Sequence, residues 1–240
     1  MKDRELYRRF ISHENLVSFR VVVKETDVLI QAFTDLSDHA RELILEYRGH
    51  LESYIDQYPD FANTLEPWGK KGPTPEIVRE MIRAGNAAGV GPMAAVAGAV
   101  SEMVGRGLLR YSNHIVVENG GDVFCRLDGK ITAGIFAGSS PLSMKVGMVI
   151  DDNRGPVSLC TSSGTVGHSK SFGNADAVCV LADSCALADA AATSIANRVL
   201  SKKDISGAIE FGRGIEGTRG IVVIKDDGIG AWGDIEIVPL

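Results

Sequence analysis

The sequence predicts an α+β fold in which helices pack on one face of a mostly antiparallel sheet. A meander of short apolar runs separated by turn residues occupies residues 114–160, which is typical of strands joined by tight turns. Helical patterns come before and after it: residues 36–55 have apolar side chains at three- and four-residue steps, and the second half of residues 160–197 is dominated by alanine. Because helices do not alternate with strands, we expect antiparallel pairing.

The N-terminal section combines a predicted hairpin and a predicted helix. Valine-rich runs at residues 16–24 and 28–33 indicate two paired strands. Ser37 or Asp38 is expected to cap the amphipathic helix that follows them. A hairpin alone is too small to be stable, so we expect residues 1–72 to be integral to a single domain.

That single domain is expected to span residues 1–240. The proline- and glycine-rich loop at residues 66–75 is interpreted as a connection inside it. Asp128-Gly129 lies between two apolar runs and predicts a β-hairpin. Further helices are predicted at residues 76–84, 92–104 and 203–211. The remaining strands are predicted at residues 114–118, 122–127, 130–137, 145–150, 157–160, 177–181, 219–225 and 234–238.

Composition and charge narrow the classes of function. The net charge is −6 and the basic residues form no run, which argues against a nucleic-acid partner. The N-terminus lacks the apolar core of a signal peptide, and no segment resembles a membrane span. The four cysteines have neither Cys-x-x-Cys nor zinc-ligand spacing. We therefore expect a reduced, soluble, cytoplasmic protein without a membrane partner.

Two glycine patterns imitate dinucleotide-binding fingerprints. Residues 212–217 spell Gly-x-Gly-x-x-Gly but follow a helix and precede a strand, the reverse of the order that dinucleotide binding needs. Residues 89–94 open a helix but follow another helix, so they do not indicate a Rossmann unit. A glycine loop entering a helix exposes N–H groups, which makes Gly91 a candidate for binding an anion such as phosphate. A tight, closely packed turn is the alternative.

Polar residues and glycines also cluster in the turn at residues 118–122. Asn-Gly is a favoured pair in a plain hairpin turn. Two acids and two glycines exceed what such a turn requires, and they favour contact with a ligand instead. The candidate residues are Glu118, Asn119, Gly120, Gly121 and Asp122.

The loop that begins at residue 161 is rich in hydroxyl and backbone N–H groups suited to a phosphate or another polar ligand. Its candidate ligand-binding residues are Thr161, Ser162, Ser163, Gly164, Gly167 and Ser169. His168 is a candidate catalytic acid or base, or a donor to the ligand. The alternative is a histidine that only satisfies loop hydrogen bonds. The loop lacks a Gly-x-Ser-x-Gly elbow, which argues against a serine hydrolase.

The alanine-rich helix carries Asp189 and, one turn later on the same face, Thr193. Small residues around them indicate that another element or a ligand approaches the helix closely. A carboxylate buried on such a helix needs a partner, and Mg²⁺ accepts carboxylate and hydroxyl oxygens. An aspartate favoured by the dipole near the helix start is the alternative.

Four segments carry a family resemblance: VGPMAAVAGAVSE (90–102), VENGGDVF (117–124), TSSGTVGHSKSFGNADAV (161–178) and ADAAATSIANRV (188–199). They resemble an uncharacterised branch of the ApbE superfamily, and the similarity runs along nearly the whole chain. The chain is similar only in patches to the FAD:protein FMN transferases of that superfamily. The resemblance implies a T-fold-like α+β fold.

The resemblance also implies cofactors, and at some positions the chain departs from the transferase motifs. The metal-binding Ala-Asp-Ala-x-x-Thr helix of the transferases matches Asp189 and Thr193, which implies Mg²⁺, and similar Thr-Ser-Gly and Gly-Gly segments imply FAD or FMN. Their Lys-Gly-Tyr and following Asp are replaced here by residues 97–99 and Glu102. Their His-Ile-x-Asp-Pro segment is reduced to residues 167–169. The flavin-binding set is therefore incomplete.

The leading hypothesis is an ApbE-like protein that binds a nucleotide- or flavin-like phosphorylated small molecule with a divalent metal and acts as a transferase. The alternative is a non-catalytic metabolite-binding or accessory protein. Relatives in anaerobes suggest sulfide assimilation towards homocysteine for that alternative, and an exposed Cys160 thiol of lowered pKa would support it. A third hypothesis is a structural homo-oligomer without a small-molecule ligand.

Overall fold

The N-terminal section forms the predicted hairpin and helix. The computed structural model describes residues 15–69, 72–150, 155–164 and 173–240. Strands β1 (Val17–Val23) and β2 (Thr26–Ala32) pair antiparallel, and helix α1 (Ser37–Gln57) follows them. The predicted cap by Ser37 or Asp38 is wrong. Both residues already lie inside the helix, and Asp35 accepts the Ser37 N–H at 2.8 Å.

Two helices follow the proline-rich loop. Helix α2 (Glu76–Ala88) is longer than predicted because Gly85 does not end it. Gly85 instead allows close packing, since a Cβ there would lie 2.8 Å from the Val90 carbonyl oxygen. The helix ends at Gly89, whose φ is 71°. The next predicted helix begins as a 3-10 turn (Pro92–Ala95) and continues as α3 (Val96–Leu108).

No single helix within the described ranges is long and apolar enough to cross a membrane. Helix α2 and the segment from Pro92 to Leu108 pass that test only together, and they are bent by 106° relative to each other. Most residues of α2 and α3 are buried within the protein.

The second half of the chain supplies the remaining strands. They are β3 (Ile115–Asn119), β4 (Asp122–Arg126), β5 (Ile131–Gly134), β6 (Val146–Ile150), β7 (Val157–Ser162), β8 (Ala177–Ala182), β9 (Thr218–Lys225), β10 (Gly228–Gly233) and β11 (Glu236–Pro239). An eight-stranded sheet has the order β1-β2-β3-β4-β7-β8-β9-β10, and a three-stranded sheet has the order β11-β6-β5. Every described pairing is antiparallel, which confirms the predicted fold class.

The hairpin predicted at Asp128-Gly129 is wrong. Strand β4 pairs with β3 and β7, whereas β5 pairs with β6 in the smaller sheet. The turn at Gly129, with φ 81°, carries the chain from one sheet to the other. A local turn signal indicates a reversal of direction, but it does not select the partner of the next strand.

The larger sheet is covered on both faces. Helices α4 (Cys185–Ala196) and α5 (Ile205–Arg213) pack with α1, α2 and α3 against one face, where Val117, Phe124 and Val180 are buried. The three-stranded sheet packs against the opposite face, where Val116, Leu159 and Met148 are buried. Helices on one face were predicted, but the second sheet on the other face was not.

Candidate functional site

A cavity of about 1330 Å³ is lined by the residues of the β3–β4 turn. On the helical side of the large sheet its lining includes Asp122, Ser162, Asp189, Thr193 and Asn197. Between the two sheets its lining is mostly apolar and includes Val116, Cys125, Met148, Ile150, Val157 and Leu159. The cavity therefore has a polar end around Asp189 and an apolar end between the sheets, and Glu25, Arg48 and Glu52 also line it. It brings together most of the described residues that the sequence marked as candidate ligands.

Asp189 lies in the second turn of α4 at the polar end. Ser184 caps this helix by accepting the Leu187 N–H at 3.2 Å. Alanines on α4 allow α3 to approach, so that the Asp189 Oδ2 accepts the Gly98 N–H at 2.9 Å. Gly98 has no space for a side chain, because a Cβ would lie 2.2 Å from the Cys185 carbonyl oxygen. The candidate metal ligand is thus also a cap for α3.

Thr193 follows one helical turn after Asp189, and both residues are 8% exposed. Both residues line the cavity, as does Ser162, whose buried Oγ has no hydrogen-bond partner among the described residues. An unpaired buried hydroxyl is costly unless something bonds to it. No group of three or more His, Cys, Asp and Glu side chains within the described part of the chain is arranged to hold a metal. A cation here would therefore also need hydroxyl or backbone carbonyl oxygens.

At the polar end, the charge of the buried Asp189 acts on the buried Asp122. Burial raises the pKa of Asp189 to about 7, although the N–H groups of Gly98 and Ala97 act in the opposite direction. Burial, and next the charge of Asp189, raise the pKa of Asp122 well above its ordinary value. No Lys or Arg in the described ranges forms an ion pair with either acid. When both acids are ionised, their charge is therefore not compensated by a Lys or Arg of the described residues.

The β3–β4 turn is held by its own polar residues. Glu118 Oε1 accepts the Gly121 N–H at 2.8 Å, and Asp122 Oδ1 accepts the Thr161 N–H at 3.3 Å. Asn119 Nδ2 donates to the Ala97 carbonyl at 3.1 Å, which ties the turn to α3. Gly120 and Gly121 have φ values of 70° and 106°. All five candidate residues line the cavity, and these contacts also explain them as structural elements of the turn.

The hydroxyl-rich loop is described only at its ends. Thr161, Ser162 and Ser163 line the cavity, whereas Gly164 packs so closely that a Cβ would lie 2.1 Å from the Gly173 carbonyl oxygen. Thr161 Oγ1 donates to the Cys179 Sγ at 3.3 Å. The predictions for Gly167, His168 and Ser169 lie outside the described residues.

Gly91 lines the cavity, but its backbone touches the protein itself. A Cβ at Gly91 would lie 1.9 Å from the Thr64 carbonyl oxygen, which supports the close-packing alternative. The N–H of Gly98 in the first turn of α3 is already bonded to Asp189. A carboxylate of the protein therefore occupies the place where an anion at this helix start would bind. Ligand binding by Gly91 stays a prediction.

The cysteines do not provide a reactive thiol. All four are free and buried. Burial raises the pKa of Cys125 to about 12 and that of Cys179 to about 11. Burial also raises the pKa of Cys160 well above its ordinary value, and its thiol donates to the Cys185 carbonyl at 3.3 Å. The exposed thiol of lowered pKa that would support a sulfur-linked role is absent from Cys160.

One buried charge was not assigned a role from the sequence. Glu102 on α3 is 5% exposed, and its Oε2 accepts the N–H of Cys185, the first residue of α4, at 2.8 Å. An acid in the alanine- and glycine-rich stretch 92–104 was the available signal. The position of its partner could not be read from the sequence.

The fold can be compared with solved structures. The apo form of the flavinyl transferase ApbE from Pseudomonas stutzeri gives a TM-score of 0.58 at 14% identity, covering 93% of this chain and 95% of that chain. The flavin transferase ApbE from Vibrio cholerae gives 0.56 at 15% identity, covering 91% and 97%. The protein therefore has the fold of the ApbE flavin transferases, which confirms the expected ApbE-like α+β architecture.

Comparison of sequences identifies a family and relatives that are more similar to the chain than the solved structures are. The family described as AbpE bacteria matches residues 8–223, and the chain belongs to that family. A UPF0280 protein of Methanothermobacter thermautotrophicus is 42% identical over 90% of this chain and 85% of its own length. A UPF0280 protein of Methanococcus aeolicus is 37% identical over 92% of this chain and 91% of its own length.

Proposed function

We propose that the cavity binds a nucleotide- or flavin-like phosphorylated small molecule together with a divalent cation. The observation that carries this proposal is the buried pair of Asp122 and Asp189 at the cavity wall. The charge of Asp189 acts on Asp122, and neither acid has a cationic partner among the described residues. Mg²⁺ would compensate their charge, because it binds carboxylate, hydroxyl and carbonyl oxygens. The fold shared with flavin transferases supports the ligand class.

Asp189 and Thr193 are the proposed cation ligands. The Ser162 Oγ, which has no hydrogen-bond partner among the described residues, is a further oxygen at the same end of the cavity. A bound Mg²⁺ would supply charge compensation for phosphate oxygens. The cavity exceeds the 300–1,000 Å³ typical of small-molecule sites, and its apolar end could accommodate a ring system.

The reaction that we propose is transfer of a group from this ligand, as the names of the flavin transferases suggest. Binding without reaction is a second candidate, and a specific observation favours it. The residues that α3 contributes to the described lining are Val96, Ala97 and Val100, so α3 offers no charged side chain there. A chemical step would need its acid or base from another element.

Thermal denaturation and calorimetric titration test binding. We expect Mg²⁺ or Mn²⁺ to raise the melting temperature, FAD or FMN to bind only with the cation, and Asp189→Asn to abolish both effects. Asp183→Asn is the matched control, because Asp183 is exposed just before α4. The proposal fails if neither cation nor flavin changes the melting temperature and Asp189→Asn has no effect. Release of AMP from FAD, measured by mass spectrometry, distinguishes group transfer from binding alone.

A further inference from the structure

Helices α3 and α4 each donate a backbone N–H to a carboxylate of the other helix. Glu102 of α3 accepts the Cys185 N–H at 2.8 Å, and Asp189 of α4 accepts the Gly98 N–H at 2.9 Å. Both N–H groups belong to the first turn of a helix, where backbone donors have no partner inside the helix. The helices therefore cap each other through two buried acids.

Glu102 is held firmly in this arrangement. Its Oε1 forms an ion pair with Arg106 at 2.7 Å, while its Oε2 bonds to α4. Arg106 also lies over the Phe124 ring, 5.7 Å from the ring centroid. The carboxylate thus has a cation on one side and the positive end of α4 on the other. This leaves Glu102 few alternative positions.

The two caps are coupled by close packing. Cys185 and Asp189 lie one helical turn apart on α4, and Gly98 sits between them. A Cβ at Gly98 would lie 2.2 Å from the Cys185 carbonyl oxygen and 2.9 Å from the Asp189 Cβ. A displacement of Cys185 would therefore move the backbone that carries Asp189. It would change the distance from the Asp189 carboxylate to Gly98.

We infer that Glu102 is a positioning residue for Asp189. It fixes the first turn of α4, and this sets the location of the Asp189 carboxylate at the cavity wall. The effect on Asp189 follows from the two described contacts alone. The effect on cation affinity rests on the proposed function, because it requires Asp189 to bind a cation.

The test compares Glu102→Ala with Glu102→Gln in the full chain. Amide hydrogen exchange by NMR reports on the Gly98 N–H, which Glu102 does not touch. We expect this exchange to be at least about tenfold faster in Glu102→Ala, because the Asp189 acceptor is displaced. Glu102→Gln keeps an oxygen acceptor for Cys185, so it should restore most of the protection. Mn²⁺ affinity should fall about 10- to 100-fold in Glu102→Ala, as for other groups that orient metal ligands.

Asp204→Ala is the matched control. Asp204 caps a different helical segment by accepting the Ser201 N–H at 2.7 Å, so its loss removes a cap of the same kind. It should leave Gly98 exchange and Mn²⁺ affinity unchanged. If the exchange rate of the Gly98 N–H is unchanged in Glu102→Ala, the inference is wrong. If Glu102→Ala does not fold, Glu102→Asp is measured instead, and an unchanged Gly98 exchange rate and Mn²⁺ affinity in that variant contradict the inference. If the wild type binds no Mn²⁺, the proposed function fails, while Gly98 exchange still decides the role of Glu102.

Discussion

The Asp189 Oδ2 lies 2.9 Å from the Gly98 amide nitrogen, although the two residues are 91 positions apart in the sequence. This contact fixes α4 against α3 at the polar end of the cavity. It also gives Asp189 a structural task beside its proposed role as a cation ligand. Variants at this crossing must therefore be assessed for stability and for binding separately.

Gly98→Ala should be strongly destabilising. The new methyl group would meet backbone atoms of Cys185, which cannot move without displacing α4. We expect a loss of about 3 kcal/mol in the free energy of unfolding, measured by urea denaturation.

Gly207→Ala provides the comparison, because no atom lies within 4 Å of a Cβ at this position in α5. It should stabilise the protein by about 0.5–1 kcal/mol, since alanine favours the helix over glycine. Equal changes in the free energy of unfolding for Gly98→Ala and Gly207→Ala would contradict the close approach of α3 and α4.

Two substitutions at Thr193 distinguish a role in packing from a role as a cation ligand. Thr193→Val keeps the shape of the side chain but removes the hydroxyl, whereas Thr193→Ser keeps the hydroxyl. If the hydroxyl binds a cation, Mg²⁺ affinity measured by calorimetry should fall at least about tenfold in Thr193→Val and stay near the wild-type value in Thr193→Ser. Equal affinities of the two variants would exclude Thr193 as a ligand.

In the absence of a ligand, the buried hydroxyl of Ser162 should lower the stability of the folded protein. Its Oγ is buried without a described partner, so Ser162→Ala is expected to raise the free energy of unfolding by about 1 kcal/mol. It should also weaken cation or flavin binding.

Ser194→Ala is the matched variant for Ser162→Ala, since the buried Ser194 Oγ donates to the Ala88 carbonyl at 2.7 Å. Its loss should destabilise the protein by about 1–2 kcal/mol. If Ser162→Ala and Ser194→Ala lower the free energy of unfolding by similar amounts, the Ser162 hydroxyl has a hydrogen-bond partner in solution.

The native thiols should react slowly. With a pKa of about 12, Cys125 is a thiolate in only about one molecule in ten thousand at pH 8. Its reaction with a disulfide reagent should therefore accelerate as the pH rises above 8. All four thiols should react within minutes after unfolding in guanidinium. A thiol of the native protein that reacts rapidly with the reagent at pH 7 would support the sulfur-linked hypothesis.

Local patterns in the sequence predicted much of the fold. The valine runs gave the β1–β2 pair with the correct partner, because a short turn leaves a strand little choice. The four-residue spacing correctly placed Asp189 and Thr193 on one helix, and the structure shows that both line the cavity. The glycine-rich strand β10 was missed, since GIGAWG has few of the β-branched residues that indicate a strand.

Partners distant in the chain could not be predicted. Glu102 and Cys185 are 83 positions apart, and no periodicity links them. The same limit explains the wrong hairpin at Asp128-Gly129, where the turn was recognised but the partner of β5 was supplied by β6 in a second sheet. The cavity between the two sheets depends on that pairing, so its apolar end could not be foreseen.

The three-stranded sheet makes one wall of the cavity depend on pairing between distant segments. Strand β6, whose Met148 and Ile150 line the cavity, pairs with β11 near the end of the sequence. Pairings between distant segments form slowly, because a long loop must close first. We therefore expect the apolar end of the cavity to be completed later in folding than the local β1–β2 hairpin.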